Sequence, residues 1–272
     1  MPAEQTRRRC NRFDQEEQLI KVIVVIPTYN EVENLVPLVT AIQDSLPESH
    51  VLVVDDNSPD GTGELAETLA KETGKVHVLH RPGKQGLGTA YVAGFRYALT
   101  CGYQRVIQMD ADFSHSPEYL LRLLQAAERA DVVIGSRNVP GGRVEHWPLL
   151  RRLISKGGSL YTRLLLGLPV SDCTSGFKCF RREALEALDL DRLQSNGYAF
   201  QVEVNYACTV AGLRFAEVPI VFPDRVRGAS KMSLGIAREA TTVVLRLFLG
   251  LTPPALASGS RGARMRPRRR VV

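Results

Sequence analysis

Three short runs of mostly β-branched residues, each stopping at a polar cluster, constrain this chain more than any other feature. Lys21 to Ile26 (KVIVVI) halts at Pro27-Thr28-Tyr29-Asn30-Glu31, Val51 to Val54 (VLVV) at Asp55-Asp56-Asn57-Ser58, and Arg105 to Met109 at Asp110-Ala111-Asp112. Continuous apolar runs of this length are expected of strands buried on both faces, as in a parallel sheet. Between and beyond them, Glu33 to Leu46, Thr62 to Thr73, Thr89 to Thr100 and Pro117 to Glu128 read as helices, with Val76 to Leu79 and Asp131 to Gly135 as further strands. This β-α-β-α order predicts an α/β fold: a mostly parallel central sheet with helices on both faces. Ligands of such sheets sit outside the carboxyl ends of the strands. All three polar clusters fall there, which points to one composite site.

Within it, Asp110 and Asp112 carry the most chemistry. Two carboxylates one residue apart, where a buried strand runs out, can converge on a hard divalent cation. Mg²⁺ or Mn²⁺ held by one or two carboxylates keeps open positions for substrate phosphates. The same residues also read as an acidic strand-to-helix turn, with Ser114 or Ser116 capping the next helix. His115, just after the pair, reads either as a third ligand or as a cap or packing residue.

The chain has 272 residues and 44% hydrophobic content, enough to bury the core of one large α/β domain or two small ones. Its five cysteines are odd in number and lack CxxC spacing, which argues against a disulfide framework or a zinc site and fits a reducing cytosol. Met1 to Gln18 is polar and charged, with no apolar run of the signal-peptide type. The organisation expected is a disordered leader (1–20), a catalytic domain (21–235), an amphipathic segment (236–257) and a basic disordered tail (258–272). Six arginines and no acid lie from Arg261 onward, against a net charge of +6 for the whole chain. Such a tail attracts polyanions or stays solvated; without an aromatic-interleaved basic patch in the body, no nucleic-acid partner is expected. Thr241 to Leu251, interrupted by Arg246, is about half the length that spans a bilayer.

Pro148 to Leu168 mixes leucines with Arg151, Arg152, Lys156 and Arg163 at helical spacing, broken by Gly157-Gly158. A basic amphipathic helix can lie at a membrane surface. From pattern alone, a core-facing helix with a charged solvent side is favoured. Trp147, the only tryptophan, suits either a membrane boundary or an acceptor pocket.

A parallel sheet with phosphate-directed chemistry has several owners. No GxGxxG follows the first strand and no GxxxxGK[ST] loop is present, while Gly83 to Gly88 is glycine-rich but follows a later strand. Taken together, IPTYNE (Ile26 to Glu31), VVDDNSPDGT (Val53 to Thr62), GKQGLGTAY (Gly83 to Tyr91), MDADFSHSPE (Met109 to Glu118), GSR (Gly135 to Arg137), SDCTSGFKCF (Ser171 to Phe180), GYAFQVE (Gly197 to Glu203) and DRVRGASK (Asp224 to Lys231) resemble the dolichol-phosphate mannose synthases. These are inverting family-two glycosyltransferases of GT-A fold, a Rossmann-like sandwich with amphipathic interface helices.

The resemblance implies roles, position by position. Pro27, Tyr29 and Glu31 would form the pocket for the donor's base and ribose, with Val54 and Asp56 across from them. Asp110 and Asp112 would hold Mg²⁺ or Mn²⁺, with Ala111 and Ser114 beside nucleotide and metal. Arg137 would hold the sugar or the acceptor phosphate, and Arg225 and Lys231 would reach the phosphates from a mobile loop. Ser171 to Phe180, Ser175 included, would shape the acceptor site. Arg152 and Lys156 would sit on the family's interface helix.

The implied reaction moves mannose from GDP-mannose to a polyprenyl phosphate with inversion; UDP-glucose as donor is the alternative. The implied setting is peripheral, at the cytoplasmic face of a membrane, with a separate anchoring protein in some short members. A phosphate monoester has a second pKa of about 6, so it is already a dianion near neutral pH and needs no strong base. Glu203 is accordingly expected to be a structural hydrogen-bonder. A catalytically dead partner on the same scaffold is the remaining rival, against which the intact Asp110, Asp112, Arg137 and Lys231 argue.

Overall fold

The computed structural model describes residues 21–193, 195, 197–223 and 234–258, with the side chains of 234–240 outside the description. The leader 1–20, Arg225 and Lys231, and the tail from 259 onward lie outside the described residues. Seven strands form one sheet in the order β3-β2-β1-β4-β7-β5-β8. They are β1 (Val22–Thr28), β2 (His50–Asp55), β3 (Val76–His80), β4 (Arg105–Gln108), β5 (Val132–Ser136), β7 (Lys178–Arg181) and β8 (Phe215–Pro219). A separate two-stranded ribbon pairs β6 (Arg143–Val144) with β9 (Val221–Phe222).

The expected parallel core is present: β1 pairs in parallel with both β2 and β4, and β2 with β3. Val24, Ile26, Val51 and Val53 point to one side of the sheet and Ile23, Val25, Leu52 and Val54 to the other, all fully buried. Helices α1 (Val32–Ser45), α2 (Thr62–Thr73) and α4 (Leu120–Ala126) cover the first side. Helices α3 (Leu87–Thr100), α6 (Arg182–Glu186) and α7 (Gly197–Val210) cover the second. Gly94 lets α3 press onto β1, since a Cβ there would lie 2.3 Å from Val25 Cγ1.

One strand runs against the rest. β7 is antiparallel to both β4 and β5, with Lys178 opposite Gln108 and Ile134. Because it is reversed, its amino end lies at the carboxyl edge of its neighbours. The segment Ser171 to Gly176 is thereby delivered to the same edge as the three polar clusters.

Helix α5 (Leu149–Leu166) corrects two expectations. It runs without interruption through Gly157-Gly158. Its backbone hydrogen bonds need no side chain, and the glycines cost helix stability, about 1 kcal/mol each against alanine, without breaking it. Nor does its apolar side face the core: it is buried only at Ser159, Thr162 and Leu166. Leu149 and Leu150 are 70% exposed and Leu164 73%. Beside it, α8 (Leu234–Phe248) buries Val244 and Leu247 against Leu166 and Val202, while Leu245, Phe248 and Leu249 remain exposed. Among the described residues no helix is long and apolar enough to cross a membrane.

Candidate active site

The loops after β1, β2 and β4 share one edge of the sheet, and hydrogen bonds tie the first two together. Thr28 and Ser58 both donate hydroxyls to Asp55 Oδ1, at 3.0 and 2.6 Å. The N–H of Asn30 reaches Ser58 Oγ (3.1 Å), and those of Glu31 and Val32 reach Thr62 Oγ1 (3.0 Å) and Asp60 Oδ2 (3.2 Å). Each loop contains one non-glycine residue in the left-handed region: Asn30, Asn57 and Phe113, all at φ 58°. Asparagine tolerates that region, whereas a bulky phenylalanine there is strained.

On this edge the expected donor residues divide. Tyr29 is exposed, with the Lys84 ammonium 4.1 Å from its ring centre. Asp56 is buried and pairs with Arg81 at 2.8 Å. Burial raises its carboxyl above the usual range against the pull of Arg81. Pro27 and Glu31 are half-buried at the opening. Val54 and Ala111 have buried side chains packed into the core, so these two positions face the opening through backbone.

Asp110 and Asp112 are held from behind. Tyr91 on α3 donates its hydroxyl to Asp110 Oδ1 at 2.6 Å, and Asp112 Oδ1 accepts the N–H of Ser114 at 3.1 Å. Burial and the Asp110 carboxylate push the Tyr91 phenol well above its ordinary value, so it is a donor only. His115 is buried, stacked on Phe177 at 5.0 Å, and its Nδ1 accepts the Asp110 N–H at 3.1 Å. Burial lowers its pKa, overcoming the carboxylates. With Nδ1 taken by the Asp110 N–H and its ring stacked on Phe177, His115 braces the loop from behind, the packing role among its two readings.

Among the described residues no group of three or more His, Cys, Asp or Glu gathers around a cation site. A pair of carboxylates suits Mg²⁺ or Mn²⁺, which bind through few protein oxygens and complete their shell with phosphate and water. Ser114 Oγ is buried beside the pair with no hydrogen-bond partner among the described residues, as an oxygen awaiting a ligand would be.

Across the site, Arg137 follows β5 and is buried. Its Nε and Nη2 each donate to Asp172 at 2.7 Å, and Nη2 also reaches Thr174 Oγ1 at 2.9 Å. Burial opposes both charges, but the pairing prevails, raising Arg137 and holding Asp172 below the usual carboxylate range. Nη1 has no hydrogen-bond partner among the described residues.

Arg137 and Trp147 stand in the wall between two cavities. One, of about 70 Å³, also contains Arg152 and Lys156. The other, of about 450 Å³, is mostly apolar and runs between α5, α7 and α8 past Ile154, Gly158, Val202 and Val244. Trp147 thus belongs to the cavity wall, its Nε1 unpartnered among the described residues and its ring 3.8 Å from the Arg151 guanidinium. Ser175 commits its hydroxyl to Gly135 O at 2.6 Å and shapes the turn without facing either cavity. Glu203 Oε2 accepts the Ser195 N–H at 2.9 Å, the structural role expected of it.

Residues 23–189, which carry the carboxylate pair and the reversed strand β7, fit the model for glycosyl transferase family 2. The chain belongs to that family. An undecaprenyl-phosphate mannosyltransferase of Micrococcus luteus is 52% identical over 227 residues, 84% of this chain and 93% of that protein. A polyprenol monophosphomannose synthase of Mycolicibacterium smegmatis is 49% identical over 222 residues, 81% of this chain and 84% of that one. Among solved structures, the mannosyltransferase PcManGT from Pyrobaculum calidifontis, in complex with GDP-Man and Mn²⁺, shares the GT-A fold. Its TM-score is 0.54 at 17% identity, over 92% of this chain and 71% of that one.

Sequence reasoning did not single out three residues that the structure ties to this region: Tyr91, Asp172 and Gln201. All three lie inside the quoted motifs, but their signal is a partner distant in sequence. Arg137 and Asp172 are 35 positions apart, and Gln108 and Gln201 93.

Proposed function

We propose that the protein transfers mannose from GDP-mannose to a polyprenyl phosphate, inverting the anomeric carbon, as a peripheral enzyme at a membrane surface. The observation that carries this reading is the junction at Arg137. A small basic cavity holding Arg152 and Lys156 lies on one side of it, with Asp110 near enough to act on its charge, and an apolar cavity of about 450 Å³ lies on the other. A lipid phosphate needs both, a directed cation for its head and a dry trough for its first prenyl units. The names of the two relatives near 50% identity support the same donor sugar and acceptor class.

Asp110 and Asp112 would hold the cation, with Ser114 Oγ beside them; bound there, the metal supplies charge neutralisation for the departing diphosphate. Pro27, Tyr29, Glu31 and Asp56 would frame the base and ribose. Arg137 can direct Nη1 at the incoming phosphate, while the bidentate bonds to Asp172 fix the orientation of its guanidinium. Since Asp172 cancels the charge, Arg137 acts by a directed hydrogen bond more than by net field. Arg152 and Lys156, at the small cavity, and Arg225 and Lys231 supply the balancing positive charge. The dianionic phosphate attacks in line without a protein base, so catalysis rests on positioning and electrostatics. The exposed leucines of α5 would lie in the bilayer interface with its basic residues at the headgroups.

The test is transfer of radiolabelled sugar from GDP-mannose, UDP-glucose and UDP-N-acetylglucosamine into a short polyprenyl phosphate with Mg²⁺ or Mn²⁺. Mannose in the lipid fraction, abolished in Asp112→Ala, is the expected result. Preference for UDP-glucose would overturn the donor.

A further inference from the structure

A small niche beside the carboxylate pair is left after every described contact is assigned. Gln201, buried on α7, has a fixed amide. Its Oε1 accepts from Lys178 Nζ at 2.8 Å and from Gln108 Nε2 at 3.0 Å, and Lys178 also reaches the Gln201 carbonyl at 3.3 Å. With two donors on the oxygen, the amide nitrogen must point the other way. There it meets no acceptor among the described residues.

What it faces is Gly176. An atom at the Cβ position of Gly176 would lie 3.5 Å from Gln201 Nε2, 3.6 Å from Asp110 Oδ2 and 3.4 Å from His115 Cε1. These are ordinary contact distances, so the gap accommodates one heavy atom. Gly176 does not have left-handed backbone and no clash forbids a side chain. The fold therefore does not demand glycine here; the open space is its effect. The walls are an amide donor, a carboxylate acceptor and an imidazole edge. A methyl group would leave both polar walls unpaired, and an anionic oxygen would meet the Asp110 carboxylate. A hydroxyl satisfies both, accepting from Nε2 and donating to Oδ2.

We propose that this niche reads one hydroxyl of the donor sugar, with Gln201 as the donor to it, Gly176 as the space for it, and Lys178 and Gln108 as positioning residues for the amide. The inference rests on the donor site proposed above and adds to it a residue that selects the sugar.

Calorimetric titration tests it without turnover. GDP-mannose and GDP are each titrated, with Mn²⁺, into the full-length wild type, Gly176→Ala and Gln201→Glu. Gly176→Ala fills the niche and leaves the Lys178 network intact; Gln201→Glu keeps an acceptor for Lys178 and removes the donor. Each variant should lose about tenfold in affinity for GDP-mannose, the scale of one directed contact, with GDP affinity within about twofold of wild type. Two results would overturn the niche. One is an unchanged ratio of the two affinities in both variants; the other is an equal loss for GDP, which would place the effect on the carboxylate pair. If the wild type binds UDP-glucose instead, the donor assignment fails, and the ratio of UDP-glucose to UDP then tests the niche by the same criterion.

Discussion

The hydroxyl of Tyr91 donates to Asp110 Oδ1 at 2.6 Å, so a helix between β3 and β4 fixes a carboxylate of the loop beyond β4. With Oδ1 engaged, Oδ2 is the oxygen left for the cation and sugar of the proposed function. Tyr91→Phe keeps the ring, which stacks on Phe200 at 6.1 Å, and removes only the bond. The midpoint for Mn²⁺ binding in the presence of GDP, followed by electron paramagnetic resonance, should rise about tenfold, as for other groups that orient a metal ligand. Unfolding free energy should fall by only about 1 kcal/mol. An unmoved Mn²⁺ midpoint would sink the assignment.

The Arg137–Asp172 pair is buried at both ends. Asp172→Leu leaves a buried guanidinium uncompensated and should cost about 3–5 kcal/mol in chemical denaturation, whereas the double variant with Arg137→Leu should recover much of that. Because Asp172 titrates below its ordinary value in the folded protein, the pair's contribution is complete above about pH 3.9. It is lost as pH falls from there through the depressed folded value. The double variant should lack that part of the acid transition. Equal acid sensitivity in both proteins would contradict the pairing.

Lys178 gives the opposite slope. Burial lowers its ammonium to about 7 from an ordinary value of 10.5. Between those values the unfolded chain binds the proton that the folded one releases, so stability rises with pH over this window and the full penalty applies below it. The difference in unfolding free energy between wild type and Lys178→Met, measured by urea titration from pH 6 to 10.5, should therefore change in favour of wild type as pH rises. A flat difference would show that the amine is charged throughout.

Substituting Leu153, Leu160 and Leu164 of α5 by glutamine removes apolar surface that touches solvent in the free protein. Each change should alter stability by less than about 0.5 kcal/mol. Co-sedimentation with anionic phospholipid vesicles should fall sharply, while donor binding in solution stays at the wild-type level. Retained sedimentation would locate the membrane contact elsewhere.

How much was legible depended on whether the signal was local. The helix expected from Thr62 to Thr73 is found with those bounds, its ends set locally by Gly61 and Gly74, which flank it in left-handed conformations at φ 88° and 65°. The carboxylate pair was legible because a buried strand ends at it. β7 was not: a strand that begins with a buried lysine carries no apolar alternation, and its direction is set by neighbours distant in sequence. For α5 the period identified a helix but not what its apolar side meets, since protein and lipid ask for the same spacing. Gln201 was invisible for a third reason, because the role proposed for it comes from two donors on β4 and β7 that fix one end of its amide.

The leucine side of α5 has a kinetic consequence. The helix that would rest on the bilayer also walls the acceptor cavity through Ile154 and Gly158, so on the proposed function adsorption and acceptor capture share one element. Search for the lipid then takes place in two dimensions, and the rate depends on acceptor per unit of membrane area. Diluting the polyprenyl phosphate with inert phospholipid should slow turnover even at constant bulk concentration of acceptor, the behaviour called surface dilution.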